Sequence, residues 1–241
     1  MNVDALHLSA RLTAVAQQVP ADARLADIGS DHAYLPAALV LQGKISFAIA
    51  GEVVKGPYEN AVHEIRKHNL TTSIQPRLAD GLAAITPADR IDTVTIAGMG
   101  GSLIAEILER GQEQLAGINR LILQPNVGEK RLRQWLLDHR YQIMAEQIVA
   151  EDGHIYEIIV AEPSVVPFNY SDYELTFGPL LLETKSTVFK QKWQEYFQRE
   201  AQVLKQMSSA KQPPHDKIAA LKAKLAEVKE VIDNDYRYPN N

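Results

Sequence analysis

Short apolar runs alternate with helically spaced segments through the first two-thirds of the chain, and this alternation limits the fold more than any other feature. The runs fall at residues 24–28, 47–50, 74–78, 91–97 and 120–124. Helical spacing is predicted for 3–19, ended by Pro20, and for 34–42, 57–68, 103–110 and 129–140. Residues 141–150 and 155–162 read as two long strands joined by the turn Glu151-Asp152-Gly153-His154. Five β–α alternations followed by a terminal strand pair predict an α/β chain with a doubly wound sheet, mostly parallel with one antiparallel strand.

After Glu162 the pattern changes. Residues 163–169 carry two prolines and read as a linker, and Pro179 sits at a helix start. An apolar seam with two polar breaks runs Leu182, Ser186, Phe189, Trp193, Tyr196, Glu200, Val203, Met207. A cleaner one follows at Ile218, Leu221, Leu225, Val228 and Ile232, after a break at 208–214. Such seams pack helix on helix, so the expectation is a C-terminal antiparallel helical hairpin or coiled coil with a loose tail at 236–241. The expected domains are therefore 1–162 and 163–241. Residues 1–162 hold 14 Lys+Arg against 20 Asp+Glu, and residues 163–241 hold 11 against 10, nine of them lysines. The lysine-rich hairpin reads either as a solvated face or as an arm contacting phosphates.

Composition narrows the chemistry. The formal net charge of −5 argues against a uniformly basic nucleic-acid binder, while leaving room for a local basic face. With no cysteine there is no thiolate nucleophile and no cysteine-ligated zinc. The seven histidines form no HExxH motif, so no metal is expected. The start MNVDALHLSARL lacks a basic segment followed by an apolar core, and no apolar run approaches the length of a membrane span. A soluble cytoplasmic protein without membrane attachment is expected.

The turn after the first run, in LADIGSDHAYLP at 25–36, points to the cofactor. In open α/β sheets ligands bind at the carboxyl ends of the strands. A dinucleotide site needs three glycines there, but Gly29 is followed by Asp31 and Ala33 where the other two would fall. A carboxylate at that place repels a pyrophosphate and attracts an ammonium or sulfonium group. S-adenosylmethionine carries both and no phosphate, which favours it over NAD. Glu52, ending the second run, suits ribose hydroxyls. Asp80, after the third, suits an adenine amino group, with the Gly81 backbone beside it. Residues 98–101 (Gly-Met-Gly-Gly), after the fourth, place bare backbone where a methyl acceptor meets the cofactor.

Amino-group methyltransferases commonly hold their substrate there with Asn/Asp-Pro-Pro-aromatic; this chain has Ala97-Gly98-Met99-Gly100. A ring nitrogen such as adenine N1 attacks through an in-plane lone pair and sheds no proton first, so the missing polar handle fits ring-nitrogen chemistry. Catalysis of that kind is mainly positioning, and Asp31 suits stabilisation of a cationic methylated base. A paired base would have to be extruded, and Tyr34 or His32 is placed to stack on it. Candidate RNA contacts are Arg11, Arg77, Lys130, Arg131, Arg133 and the hairpin lysines; Trp135, Phe189 and Trp193 read as core. On the residues alone, a small-molecule methyltransferase and a non-catalytic RNA-binding protein with a retained pocket remain open.

The segments ADIGSDHAYLP, AIAGE (48–52), DGL (80–82), TIAGMGG (95–101), LILQPN (121–126) and EDGHIYEIIVAE (151–162) together resemble the bacterial tRNA (adenine-N1)-methyltransferase family acting on adenine 22, TrmK. The resemblance extends over nearly the whole chain. It implies a class I methyltransferase (Rossmann-type) domain with a C-terminal coiled coil, S-adenosylmethionine as donor and tRNA as substrate, in a protein expected to be a monomer. It implies a cofactor shell of Asp27, Gly29, Ser30, Asp31, Glu52, Asp80 and Gly81. Arg11, His32, Gly98, Met99 and Asn126 would surround the methyl-transfer pocket. Asp31, Gly98, Met99 and Asn126 are thus the candidate catalytic residues, Gly98 also facing the cofactor, and Arg11, His32, Tyr34 and Arg133 the candidate substrate contacts.

Overall fold

The computed structural model describes residues 4–210 and 212–234. Seven strands form one sheet: β1 Arg24–Ile28, β2 Phe47–Glu52, β3 Ile74–Leu78, β4 Thr93–Gly100, β5 Arg120–Val127, β6 Tyr141–Glu151 and β7 His154–Pro163. Their order is β3-β2-β1-β4-β5-β7-β6. β1 to β5 run parallel, and β7 lies antiparallel between β5 and β6. The strand order reverses at β1, where chain and ligand chemistry meet in such sheets. Both faces are covered, so β1 and β2 are buried in all but their first residues.

The helices are α1 Ala10–Gln18, α2 Tyr34–Leu41, α3 Lys55–Lys67, α4 Gly101–Arg110, α5 Glu129–Asp138 and α6 Asp172–Phe177. α1 to α3 contact one another in series, as do α4 to α6, which makes the two layers of a doubly wound sheet. Ser9 caps α1 by accepting from the Leu12 N–H, so this helix starts later than its apolar spacing suggests. Part of the expected helix, residue 3, lies outside the described residues, as does the expected tail at 236–241.

Two expectations are corrected. The fifth strand does not stop at Pro125 but continues to Val127. It can do so because the β4–β5 register shifts between Ala97 and Met99, and side chains replace ladder hydrogen bonds there. The chain also divides into compact units at Met1–Gly178 and Pro179–Asn241, not after residue 162. Residues beyond β7 remain tied to the sheet domain. Ser164 N–H donates to the Arg140 carbonyl, and the Ile143 N–H donates to the Tyr170 hydroxyl. α6, capped by Ser171 and Glu174, buries Leu175 and Phe177.

The same segment is anchored by Arg133. This side chain is fully buried, with its guanidinium bonded to Glu146, Glu157 and the Leu175 carbonyl. It is therefore not a substrate contact. Its neighbours in α5, Leu132 and Leu136, face the core, and Arg133 follows them inward. Burial opposes the guanidinium charge, but the two carboxylates more than offset this and hold its pKa above the ordinary arginine range.

The second unit contains α7 Pro179–Thr184, α8 Thr187–Ser208 and α9 His215–Asp233. α8 and α9 contact one another. Lys185, just before α8, donates to the carbonyl of Asn234, just after α9, so the pair is antiparallel. Phe189, Trp193, Leu225, Val228 and Val231 are buried. Ser186 is the cap of α8 rather than a seam position.

Replacing Arg133 strands two buried carboxylates. Arg133→Met is expected to lower unfolding free energy by about 3–5 kcal/mol, read by urea denaturation at pH 7; a loss under about 1 kcal/mol would contradict the buried triad.

Candidate active site

A cavity of about 320 Å³ opens at the carboxyl ends of β1, β2 and β4, lined among others by Arg11, Asp27, Gly29, Ser30, Asp31, His32, Tyr34, Glu52, Gly98 and Met99. Ten of the residues singled out from the sequence thus meet around one space. A larger hollow of about 610 Å³, beside Ile85, Arg90 and Gly117, holds none of them.

Asp27 is the most constrained group. Its carboxylate accepts from the Ser30 hydroxyl at 2.6 Å and the Thr95 hydroxyl at 2.6 Å. Thr95 is its direct register partner on β4. Only 5 % of Asp27 is exposed. Burial pushes its pKa up to about 6, against the two hydroxyl hydrogen bonds; the charge of Glu52 adds to the rise and that of Arg11 opposes it.

The loop after β1 is wound tightly onto β2. The N–H groups of Gly29 and Ser30 both donate to the Gly51 carbonyl, at 2.9 and 3.2 Å. The Asp31 N–H donates to the Glu52 carboxylate. Three residues take left-handed backbone: Gly29 (φ 73°), Asp31 (φ 53°) and Ala33 (φ 56°). Two non-glycine residues in that region are strained, and such strain gathers at functional sites. Met99 reaches across to where a β-carbon on Gly29 would lie. His32 and Tyr34 stack at 4.9 Å with an 11° interplanar angle.

On the acceptor side, Gly98 (φ 79°) occupies a bulge between β4 and β5. Its N–H donates to Gln124 Oε1 at 2.9 Å, and its carbonyl accepts from Asn126 Nδ2 at 2.8 Å. Arg11 Nη1 donates to the same Gln124 oxygen at 2.7 Å, and its guanidinium lies 5.5 Å from the Tyr156 ring. The Glu151 carboxylate accepts from the first N–H groups of α1.

Asp80, Gly81, Asn126, Arg77 and Lys130 do not line the cavity. Asp80 is exposed and pairs with Arg110 at 3.2 Å. The Ala79 N–H nevertheless donates to the Glu52 carbonyl, which places that turn beside the β2 end. Asn126 acts on the cavity through Gly98. Arg77 is a structural residue, its guanidinium bonded to both Asp89 oxygens at 2.6 Å and to the Ala84 carbonyl. Lys130 pairs with Asp172. Thr95 and Gln124 escaped the sequence reading, although each is a polar residue within a buried apolar run, a pattern that flags a purposeful hydrogen bond.

The donors fit a cationic nucleoside rather than a dinucleotide. Asp27 and Glu52 are buried carboxylates, Asp31 adds a third, and the loop lacks the glycines that admit a pyrophosphate. Fold and site together define a class I methyltransferase. The family model for tRNA (adenine(22)-N(1))-methyltransferase, TrmK, matches residues 25–230, and the chain belongs to that family. The Bacillus subtilis tRNA (adenine(22)-N(1))-methyltransferase is 43 % identical over 235 residues, 95 % of this chain and 98 % of that protein. A Streptococcus pneumoniae structure in complex with S-adenosyl-L-methionine is 47 % identical, with a TM-score of 0.86 over 93 % of this chain and 99 % of the other. The M. capricolum TrmK structure, in complex with S-adenosyl-homocysteine, is 29 % identical, with a TM-score of 0.83 over 94 % and 98 %.

The elevated Asp27 pKa has a signed consequence for stability. A carboxyl whose folded pKa exceeds its unfolded value of 3.8 stabilises the fold below that value and loses the contribution as pH rises through about 6. Asn cannot ionise, so Asp27→Asn is expected to stabilise the ligand-free protein at pH 8, by up to about 3 kcal/mol, and hardly at all at pH 4. Urea unfolding at both pH values checks this; an equal effect at both would contradict it.

Proposed function

We propose that this chain transfers a methyl group from S-adenosylmethionine to N1 of adenine 22 in tRNA. The observation that carries the reading is the cavity at the ends of β1 and β2, walled by Asp27, Asp31 and Glu52 and floored by the Gly98 backbone. S-adenosylmethionine supplies an electrophilic methyl group on a sulfonium cation.

Glu52 takes the ribose hydroxyls, and its second role is to hold the Asp31 N–H and so the shape of the loop. Asp27, with Ser30 and Gly29, faces the charged amino-acid end. α2 has no side-chain cap, so its first N–H groups are open to a ligand carboxylate. Asp80 and Gly81 take the adenine edge, with Asp80 exchanging Arg110 for the base.

The target adenine lies against Gly98 and Met99, and His32 with Tyr34 forms a stacked pair at the mouth. N1 keeps its lone pair in the ring plane, so no side chain has to remove a proton before attack. The protein's task is to hold the lone pair in line with the methyl group at near-attack distance, which is where most of the rate gain in such reactions resides. Asp31 then opposes the positive charge of the methylated ring. Arg11 sits at the rim, between Gln124 and Tyr156.

Residues 179–241 form an RNA arm. They hold nine lysines, and contact with phosphates through them makes binding salt-dependent. The protein works as a monomer in the cytoplasm. Among the described residues no helix is long and apolar enough to cross a membrane.

Two experiments follow. Incubation with S-adenosylmethionine and an unmodified tRNA transcript, then nucleoside mass spectrometry and mapping, is expected to give 1-methyladenosine at position 22 only. Methylation of an exocyclic amine, or none, would refute the reading. Removal of residues 179–241 is expected to leave cofactor affinity within about threefold while lowering tRNA methylation at least about tenfold. Normal methylation by the shortened chain would show that the hairpin is no RNA arm.

A further inference from the structure

Gln124 is wholly buried on β5, and its amide makes four hydrogen bonds. Oε1 accepts from the Gly98 N–H at 2.9 Å and from Arg11 Nη1 at 2.7 Å. Nε2 donates to the Pro125 carbonyl at 2.9 Å and to Asn126 Oδ1 at 3.2 Å. That is the full capacity of a side-chain amide.

The reason for this arrangement lies in the strand pair. Pro125 has no N–H, so β5 cannot continue an ordinary ladder with β4 at this point. The register slips, and Gly98 bulges out between Ala97 and Met99. Both polar groups of the Gly98 unit are then held by side chains from β5: the N–H by Gln124 and the carbonyl by Asn126. Gln124 fixes the orientation of Asn126 as well, so the two amides act together. Through Arg11 the same oxygen reaches α1, on another wall of the cavity.

We propose that Gln124 is a positioning residue: with Asn126 it clamps the bulged Gly98 backbone and Arg11 in the geometry that receives the target base. This rests on the cavity being the methyl-transfer site. Gln124 is wholly buried and does not line the cavity, so it acts through Gly98 and Arg11. It supplies from β5 a hold on the acceptor side of the cavity that amino-group methyltransferases draw from a polar side chain after β4, which is absent here.

The test compares the full-length protein with Gln124→Met, which keeps the length of the side chain and removes its hydrogen bonds. Single-turnover methylation of tRNA is measured with S-adenosylmethionine affinity by calorimetry, well below the melting temperature. The expected result is a rate lowered by about 100-fold, with cofactor Kd and tRNA KM within about threefold. If Gln124→Met does not fold, Asn126→Asp at the exposed end of the clamp replaces the donor to Gly98 with an anionic oxygen that repels the Gly98 carbonyl while keeping an acceptor for Gln124, and a rate loss of at least about tenfold is expected. In a folded double variant the losses should fall well short of multiplying, because the two side chains bond one another and hold the two peptide groups that flank one residue, Gly98. The clamp is overturned if either folded variant keeps a rate within about threefold of the parent, if the losses multiply, or if cofactor affinity falls in step with rate. A parent protein that makes no 1-methyladenosine would instead overturn the functional reading, which separates the two failures.

Discussion

The site depends on a carboxylate almost wholly withdrawn from water. Asp27 is the last residue but one of β1 and is held by two hydroxyl hydrogen bonds, one from the loop after its strand and one from the neighbouring strand. Burial without a cationic partner at hydrogen-bond distance is unfavourable to the charged form and is the main cause of the rise in its pKa. The loop then carries its backbone onto Gly51 and Glu52, so the ends of β1, β2 and β4 are locked together by one network. A ligand with a positive charge relieves the tension in it; a pyrophosphate would add to it.

A second network serves the acceptor. Proline in a central strand normally ends pairing, yet β5 passes through Pro125 because Gln124 and Asn126 take over the bonds that the backbone cannot make. The resulting bulge presents glycine backbone to the cavity. A third knot, Arg133 with Glu146 and Glu157, lies on the far layer and ties the segment after β7 to the sheet domain.

Much of this was visible in the sequence, for a physical reason. Short strand-like runs alternate with helically spaced segments, so β1 and β3 can be bounded to the residue, and a turn at each carboxyl end places Asp27, Gly29, Asp31 and Glu52 near one another. What stayed hidden depends on partners distant in the chain. Arg133 sits in a charged stretch and looks exposed until Glu146 and Glu157 arrive from β6 and β7. Gln124 looks like a strand end because Pro125 follows it, and only the slipped register on β4 gives its amide a purpose. Arg77, another arginine that resembled an RNA contact, is claimed by Asp89, whose carboxyl the guanidinium hydrogen bonds hold well below its usual range. Residues 163–169 look like a linker because the groups that tie this stretch and its neighbour Tyr170 to the sheet domain, Arg140 and Ile143, lie elsewhere in the chain.

The central claim is that the carboxylates at the ends of β1 and β2 receive the cofactor. A crystal structure of this protein with S-adenosylhomocysteine tests it most directly. The account predicts ribose hydroxyls within hydrogen-bond distance of Glu52, with the amino-acid end beside Gly29 and Asp27. A ligand seated elsewhere, or one that leaves Glu52 without contact, would contradict it.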